Sequence, residues 1–190
     1  ISINDALEEY VIRRNCRNLD LDYPFDSEII IAPKNYEFKF RHQKSIKAHY
    51  AIIGMGIIID NYPLYADACN EHGLAIAGLK FKDFCHYFKK QNGKTNIASF
   101  EIIPFILSQA RNCKEALKIL SNMNITNDSF DTKTPHTQLH WMISDKTSSY
   151  VIESTKEGLN IYKNLLGVLT NSPSFPFHLE NIKNYLNVTS

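Results

Sequence analysis

Short apolar runs punctuated by turn residues dominate the first half of the chain, and they predict strands. Residues 28–33 are a β-branched run stopped by Pro33, and residues 51–60 are a longer run, apolar on both faces, ending in Asp60-Asn61-Tyr62-Pro63. Residues 64–69, the turn Asn70-Glu71-His72-Gly73 and residues 74–79 form a hairpin pattern, with Gly73 where a positive φ is needed. The period then lengthens. Ile102, Ile103, Ile106 and Leu107 share one face of a helix predicted over 99–110, with Pro104 tolerated near its start. Asn112 followed by Glu115 resembles a capping box and opens a second helix to about residue 123. Polar residues 124–136 read as a long loop. Strands are predicted again at 139–143, 150–153, 159–162 and 167–169, with a last helix at 177–186. Hairpins, a helix pair and further hairpins indicate an α+β fold, with helices covering an antiparallel sheet.

Composition narrows the function classes. The 190 residues are 44% hydrophobic and 22% charged, which excludes a disordered chain. The 21 Lys+Arg and 20 Asp+Glu leave a net charge of +1, with no basic field for nucleic acid. No run approaches a membrane span, and neither a membrane role nor a signal peptide is expected. Cys16, Cys69, Cys85 and Cys113 lack the paired spacing of a zinc site and are expected to be reduced and mostly buried. His136 and His140 would form a metal pair on a helix. On the strand predicted there they are some ~13 Å apart, so no metal site is expected.

Three crowded polar segments stand out: residues 15–23, the strand end Gly78-Leu79-Lys80-Phe81, and Leu169-Thr170-Asn171-Ser172-Pro173. Each alone is ordinary edge or turn chemistry. Together with Gly54-Met55-Gly56, Asp60–Pro63, 66–74, Gly93–Ile97 and 139–145, in this order, they resemble the choloylglycine hydrolase family, which holds the conjugated bile salt hydrolases and penicillin V acylases. The resemblance spans nearly the whole chain from Cys16 onward.

This resemblance implies an N-terminal nucleophile hydrolase, an αββα sandwich that cleaves a linear amide with the thiolate of an N-terminal cysteine and needs no cofactor. By position, Asp20 would hold the terminal amine and Arg17 would stabilise the thiolate. Asn171 and the backbone N–H of Lys80 would receive the oxyanion, and Leu19 and Ile59 would form an apolar substrate wall. Loops 21–25, 60–65 and 127–137 match substrate-lining loops. The implied partner is a small N-acyl amide such as a conjugated bile acid or penicillin V, and the implied state a cytoplasmic homo-oligomer.

Three departures accompany the likeness. Counting back from Arg17 without gaps puts Ile1, which has no nucleophilic atom, in the nucleophile slot. A second alignment makes Ile1-Ser2-Ile3 part of the first strand, with a cysteine and two residues before them. Cys16 lies mid-chain without a free amine and is not expected to substitute. Lys80 replaces the Asn of bile salt hydrolases and the aromatic residue of penicillin V acylases, although its N–H is unaffected. Family members also continue well past residue 190, so residues 1–190 are expected to form one domain, the N-terminal portion of the full family domain and incomplete at its C-terminal end. As written, the chain is expected to be inactive. The alternative is a non-catalytic remnant or a small amphipathic-ligand-binding protein of the same fold.

Overall fold

Burial alternates along Glu28–Ala32 (β1): Ile30 and Ala32 are buried, while Ile29 and Ile31 are 65% and 47% exposed. That alternation assigns the first strand its inner face, and strand register carries the face across the sheet. In the computed structural model, which describes residues 27–134 and 136–185, the other strands are β2 (Ile52–Ile59), β3 (Tyr62–Asn70), β4 (Ala75–Lys80), β5 (Thr95–Ala98), β6 (Met123–Thr126), β7 (Leu139–Ser144), β8 (Ser149–Thr155) and β9 (Gly158–Lys163). Seven form one sheet in the order β1-β2-β3-β4-β7-β8-β9, antiparallel throughout. Ile30 lies opposite Gly54, Gly54 opposite Ala68, Ala68 opposite Ile76, and Ile76 opposite Ile143. These residues belong to the face packed against the helices α1 (Ile102–Leu107) and α2 (Cys113–Leu120), with α1 lying on β3 and β4. The α+β reading is correct.

Tight turns and close approaches explain the hairpins. Asp60 and Asn61, at φ 49° and 59°, make a two-residue turn, so Tyr62 and Pro63 begin β3 rather than extend the loop predicted there. Pro63 is accommodated because β4 pairs with β3 only from Asp67 onward. At Gly54 an added Cβ would lie 2.2 Å from the Asp67 carbonyl oxygen, so only glycine permits this spacing of β2 and β3. Gly73 has φ 76°, as its place in the turn predicts. Buried Asn70 secures this turn: its Oδ1 accepts the N–H groups of His72 and Leu74, and its Nδ2 donates to the carbonyls of Leu107 and Ala110. The helix predicted to residue 110 therefore ends at Leu107, because its last carbonyls turn towards Asn70.

Helix α2 starts as predicted, with the Asn112 side chain accepting the Glu115 N–H and Glu115 accepting that of Arg111. It ends at Leu120, and residues 123–126 are not helix and loop but β6, paired parallel to β5. The polar look of β6 misleads because its polar side chains are bonded internally. Asn124 Nδ2 reaches Asn96 Oδ1 directly opposite at 2.8 Å, and Thr126 bonds Asp128. The predicted strand at 167–169 is also absent: Gly167 has φ 68°, Val168 is 61% exposed, and Asn164 ties the segment into a loop. The last helix, α3 (Phe175–Ile182), begins two residues earlier than predicted and continues as a 3-10 turn, Lys183–Tyr185.

Asp145 ties the β7–β8 hairpin to α2. Partial burial raises its pKa, but bonds from the Cys113, Thr147 and Ser148 N–H groups and the Thr147 hydroxyl outweigh this and bring it to about 2. A depressed carboxyl pKa stabilises the fold above its ordinary value of 3.8, and that contribution disappears as pH falls towards 2. Solvent screening reduces it to about 1 kcal/mol. Urea midpoints measured between pH 5 and pH 2 are expected to fall less steeply in Asp145→Asn than in the parent.

Candidate active site

The site begins where two strands separate. β4 pairs with β3 only at Ala75, Ile76 and Ala77, yet continues to Lys80 along β7. The Phe81 N–H donates to Gln138 on the β7 side at 2.8 Å, so the preceding N–H, that of Lys80, faces the edge that β3 has left. Asn171 fills this edge: its Oδ1 accepts the Lys80 N–H at 3.1 Å. Ser172 completes the bridge, its N–H donating to the Lys80 carbonyl at 3.0 Å and its hydroxyl to Lys82 at 2.8 Å. His178 of α3 holds the other side through Nε2, 2.9 Å from the Asn171 carbonyl. Residues 80 and 171, 91 apart in sequence, thus meet at one exposed notch.

Behind the notch lies a buried ionisable pair that sequence patterning missed. His140 and Glu153 are fully buried on the sheet face opposite the helix core, with His140 Nδ1 3.1 Å from Glu153 Oε1. The His140 ring stacks on Phe81, centroids 4.5 Å apart and planes 7° from parallel. Glu153 Oε1 also accepts the Phe175 N–H at 2.8 Å. The only hint in the sequence is an ionisable residue inside each of two apolar runs, at positions 140 and 153. His140 is therefore paired with Glu153 rather than His136, and no metal-binding cluster occurs among the described residues.

Ile59, half-buried, ends β2 at the same end of the sheet as Lys80, next to the Asp60-Asn61 turn. Two of the expected lining loops meet there. Tyr62 packs against Phe130 and Phe100 at centroid distances of 5.9 and 6.1 Å, and the Arg41 guanidinium donates to the Ser129 and Phe130 carbonyls. His42 Nε2 pairs with Asp128 at 2.7 Å, closing an aromatic wall. Ile1, Arg17, Leu19, Asp20 and loop 21–25 lie outside the described residues. A cleft of about 390 Å³ lined by Phe88, Leu120, Met123 and Ile161 opens on the helix side and includes none of Ile59, Lys80 and Asn171.

Cys69, Cys85 and Cys113 form no disulfide among the described residues, with Cys69 and Cys113 buried and Cys85 half-buried. Burial raises the Cys85 thiol and pushes that of Cys113 up to about 12. Cys113 is expected to take up iodoacetamide at pH 8 at under roughly a tenth of its rate in denatured protein, read by peptide mass.

No helix among the described residues is long and apolar enough to cross a membrane. The chain is 44% identical over 169 residues to a bile salt hydrolase/transferase of Lactiplantibacillus plantarum, covering 89% of this chain and 52% of that protein. It is 42% identical over 173 residues to one of Clostridium perfringens, covering 90% and 53%. The crystal structure of a variant of conjugated bile acid hydrolase from Clostridium perfringens superposes with a TM-score of 0.85 at 40% identity, over 90% of this chain and 53% of that one. Penicillin V acylase from Agrobacterium tumefaciens shares the fold, with a TM-score of 0.73 at 19% identity over 91% and 53%. The chain thus has the N-terminal nucleophile hydrolase fold and spans about half the length of the curated relatives it matches. The model of linear amide C–N hydrolases, choloylglycine hydrolase family, matches residues 2–190, and the chain belongs to that family.

Proposed function

We propose that residues 1–190 form one domain, the N-terminal portion of the family domain, and that the protein carrying it hydrolyses a linear amide, with a conjugated bile acid as the substrate class. The observation that carries this reading is the 3.1 Å meeting of the Lys80 N–H and the Asn171 amide in the notch between β3 and β4. In the proposed reaction a cysteine thiolate adds to the amide carbon and the carbonyl π pair moves to oxygen. Collapse breaks the C–N bond, and the leaving nitrogen takes the proton that the thiol gave to the cysteine's own α-amino group. Water then splits the thioester into the free acid and the thiol. Turning the Asn171 amide about χ2 would present its Nδ2 beside the Lys80 N–H, giving the oxyanion two donors. Asp20 is assigned the terminal amine, Arg17 the thiolate, and Leu19 and Ile59 the apolar wall. Ile1 cannot act as nucleophile, so no residue of 1–190 is assigned that role. A cytoplasmic, homo-oligomeric protein is proposed on family likeness alone.

A second reading, ligand binding without turnover, is favoured by the resting arrangement. The Asn171 side-chain Oδ1, an acceptor, occupies the place at Lys80 that an oxyanion requires. Amine release from glycine- and taurine-conjugated bile acids, with penicillin V in parallel, separates the two. Release above a no-protein control that depends on Asn171 supports hydrolysis. Binding of the conjugates without release leaves the second reading.

A further inference from the structure

A fully buried carboxyl and imidazole are costly, and replacing such a pair by packed apolar residues often stabilises a protein. His140 and Glu153 are nevertheless both at zero exposure, and His140 Nε2 and Glu153 Oε2 have no partner among the described residues. The bonds they do make all lead to the notch. The ring of His140 is stacked on Phe81, next in sequence to Lys80. Glu153 Oε1 holds the N–H of Phe175, the first residue of α3 and four positions after Asn171. Phe175 is itself buried, with its ring 6.0 Å from that of Tyr162. The segment carrying Asn171 is therefore pinned at two points, by Ser172 on Lys80 and Lys82 and by Phe175 on Glu153.

We propose that Glu153, oriented by His140, is a positioning residue that holds the Asn171 segment against β4 and so sets the spacing of the Asn171 amide and the Lys80 N–H. The proposal deepens the amidohydrolase reading, which supplies the purpose of that spacing. Its test reads whether the Lys80 N–H stays bonded to Asn171 and does not need turnover, so either idea can fail alone.

The test is residue-resolved amide hydrogen exchange on the full chain. Lys80 should be protected in the parent by Asn171. In Glu153→Leu, its exchange relative to that of Ile76 and Trp141 should rise at least about tenfold, because the tether is lost while the sheet persists. Glu153→Gln keeps an acceptor for the Phe175 N–H and should restore Lys80 protection to within roughly threefold of the parent. A purely structural role for Glu153 would raise exchange at Ile76 and Trp141 along with Lys80. Equal acceleration at all three sites, or unchanged Lys80 exchange in folded Glu153→Leu, overturns the proposal. If Glu153→Leu does not fold, His140→Phe decides: it keeps an aromatic ring against Phe81 but removes the ring nitrogen bonded to Glu153. Selective acceleration at Lys80 then supports the proposal, and no change there overturns it.

Discussion

Replacing Asn171 with leucine is expected to lower amide turnover by the protein by roughly 10²–10³-fold, the usual effect of removing one oxyanion donor. Leucine is close to asparagine in size but supplies no N–H group to developing negative charge. The loss should fall on kcat rather than KM, because the oxyanion exists only after attack. Folding should be little affected: Asn171 is exposed, and the bonds from Ser172 to Lys80 and Lys82 remain. Lys80→Ala is the matching control. Its side chain is exposed and the donor proposed there is backbone, so its kcat should stay within about threefold of the parent. Initial rates of glycine or taurine release decide the matter, and a fully active Asn171→Leu protein removes the residue from the chemistry.

The largest expected loss of stability comes from Asn70→Ala. One buried side chain makes four bonds, two accepted from His72 and Leu74 and two donated to Leu107 and Ala110 at 2.8 and 2.7 Å. Alanine would leave two N–H groups and two carbonyls short of a partner where water has little access, at about 1–3 kcal/mol for each fully buried group. Relaxation at the turn and helix end reduces the sum to about 3–5 kcal/mol. For a chain of this size the thermal midpoint should fall on the order of 10 °C. Calorimetry or urea titration measures it, and a change below about 1 kcal/mol would show that turn and helix end do not depend on the side chain.

The regular parts of the fold were legible because burial there follows periodicity. The alternation at Ile29–Ala32, Gly73 in its turn and the Asn112 cap all express local rules. The errors occur where a distant partner changes what a residue needs. Asn124 and Thr126 look like loop residues until their internal partners are known, and the end of α1 is decided by Asn70, which precedes it by 37 residues. Val168 has the β-branched form of a strand residue but no strand beside it among the described residues. Nothing in the patterning joined Lys80 to Asn171. Their pairing was legible only through family resemblance, because it depends on two strands separating, a property of the assembled sheet. The pairing of Glu153 with His140 escaped even that, since a single ionisable residue in an apolar run predicts burial no better than exposure.

The parallel pairing of β5 with β6 has a consequence for the order of events during folding. Its Asn96–Asn124 bond joins residues 28 apart, with both helices between them, whereas the β2–β3 hairpin closes over two residues. Closing the longer loop is entropically costlier, and nothing repays that cost until the helices are in place. The β2–β3 ribbon is thus expected early on the route to the native state, and the small parallel sheet late, closing the helical crossover only once both helices have formed.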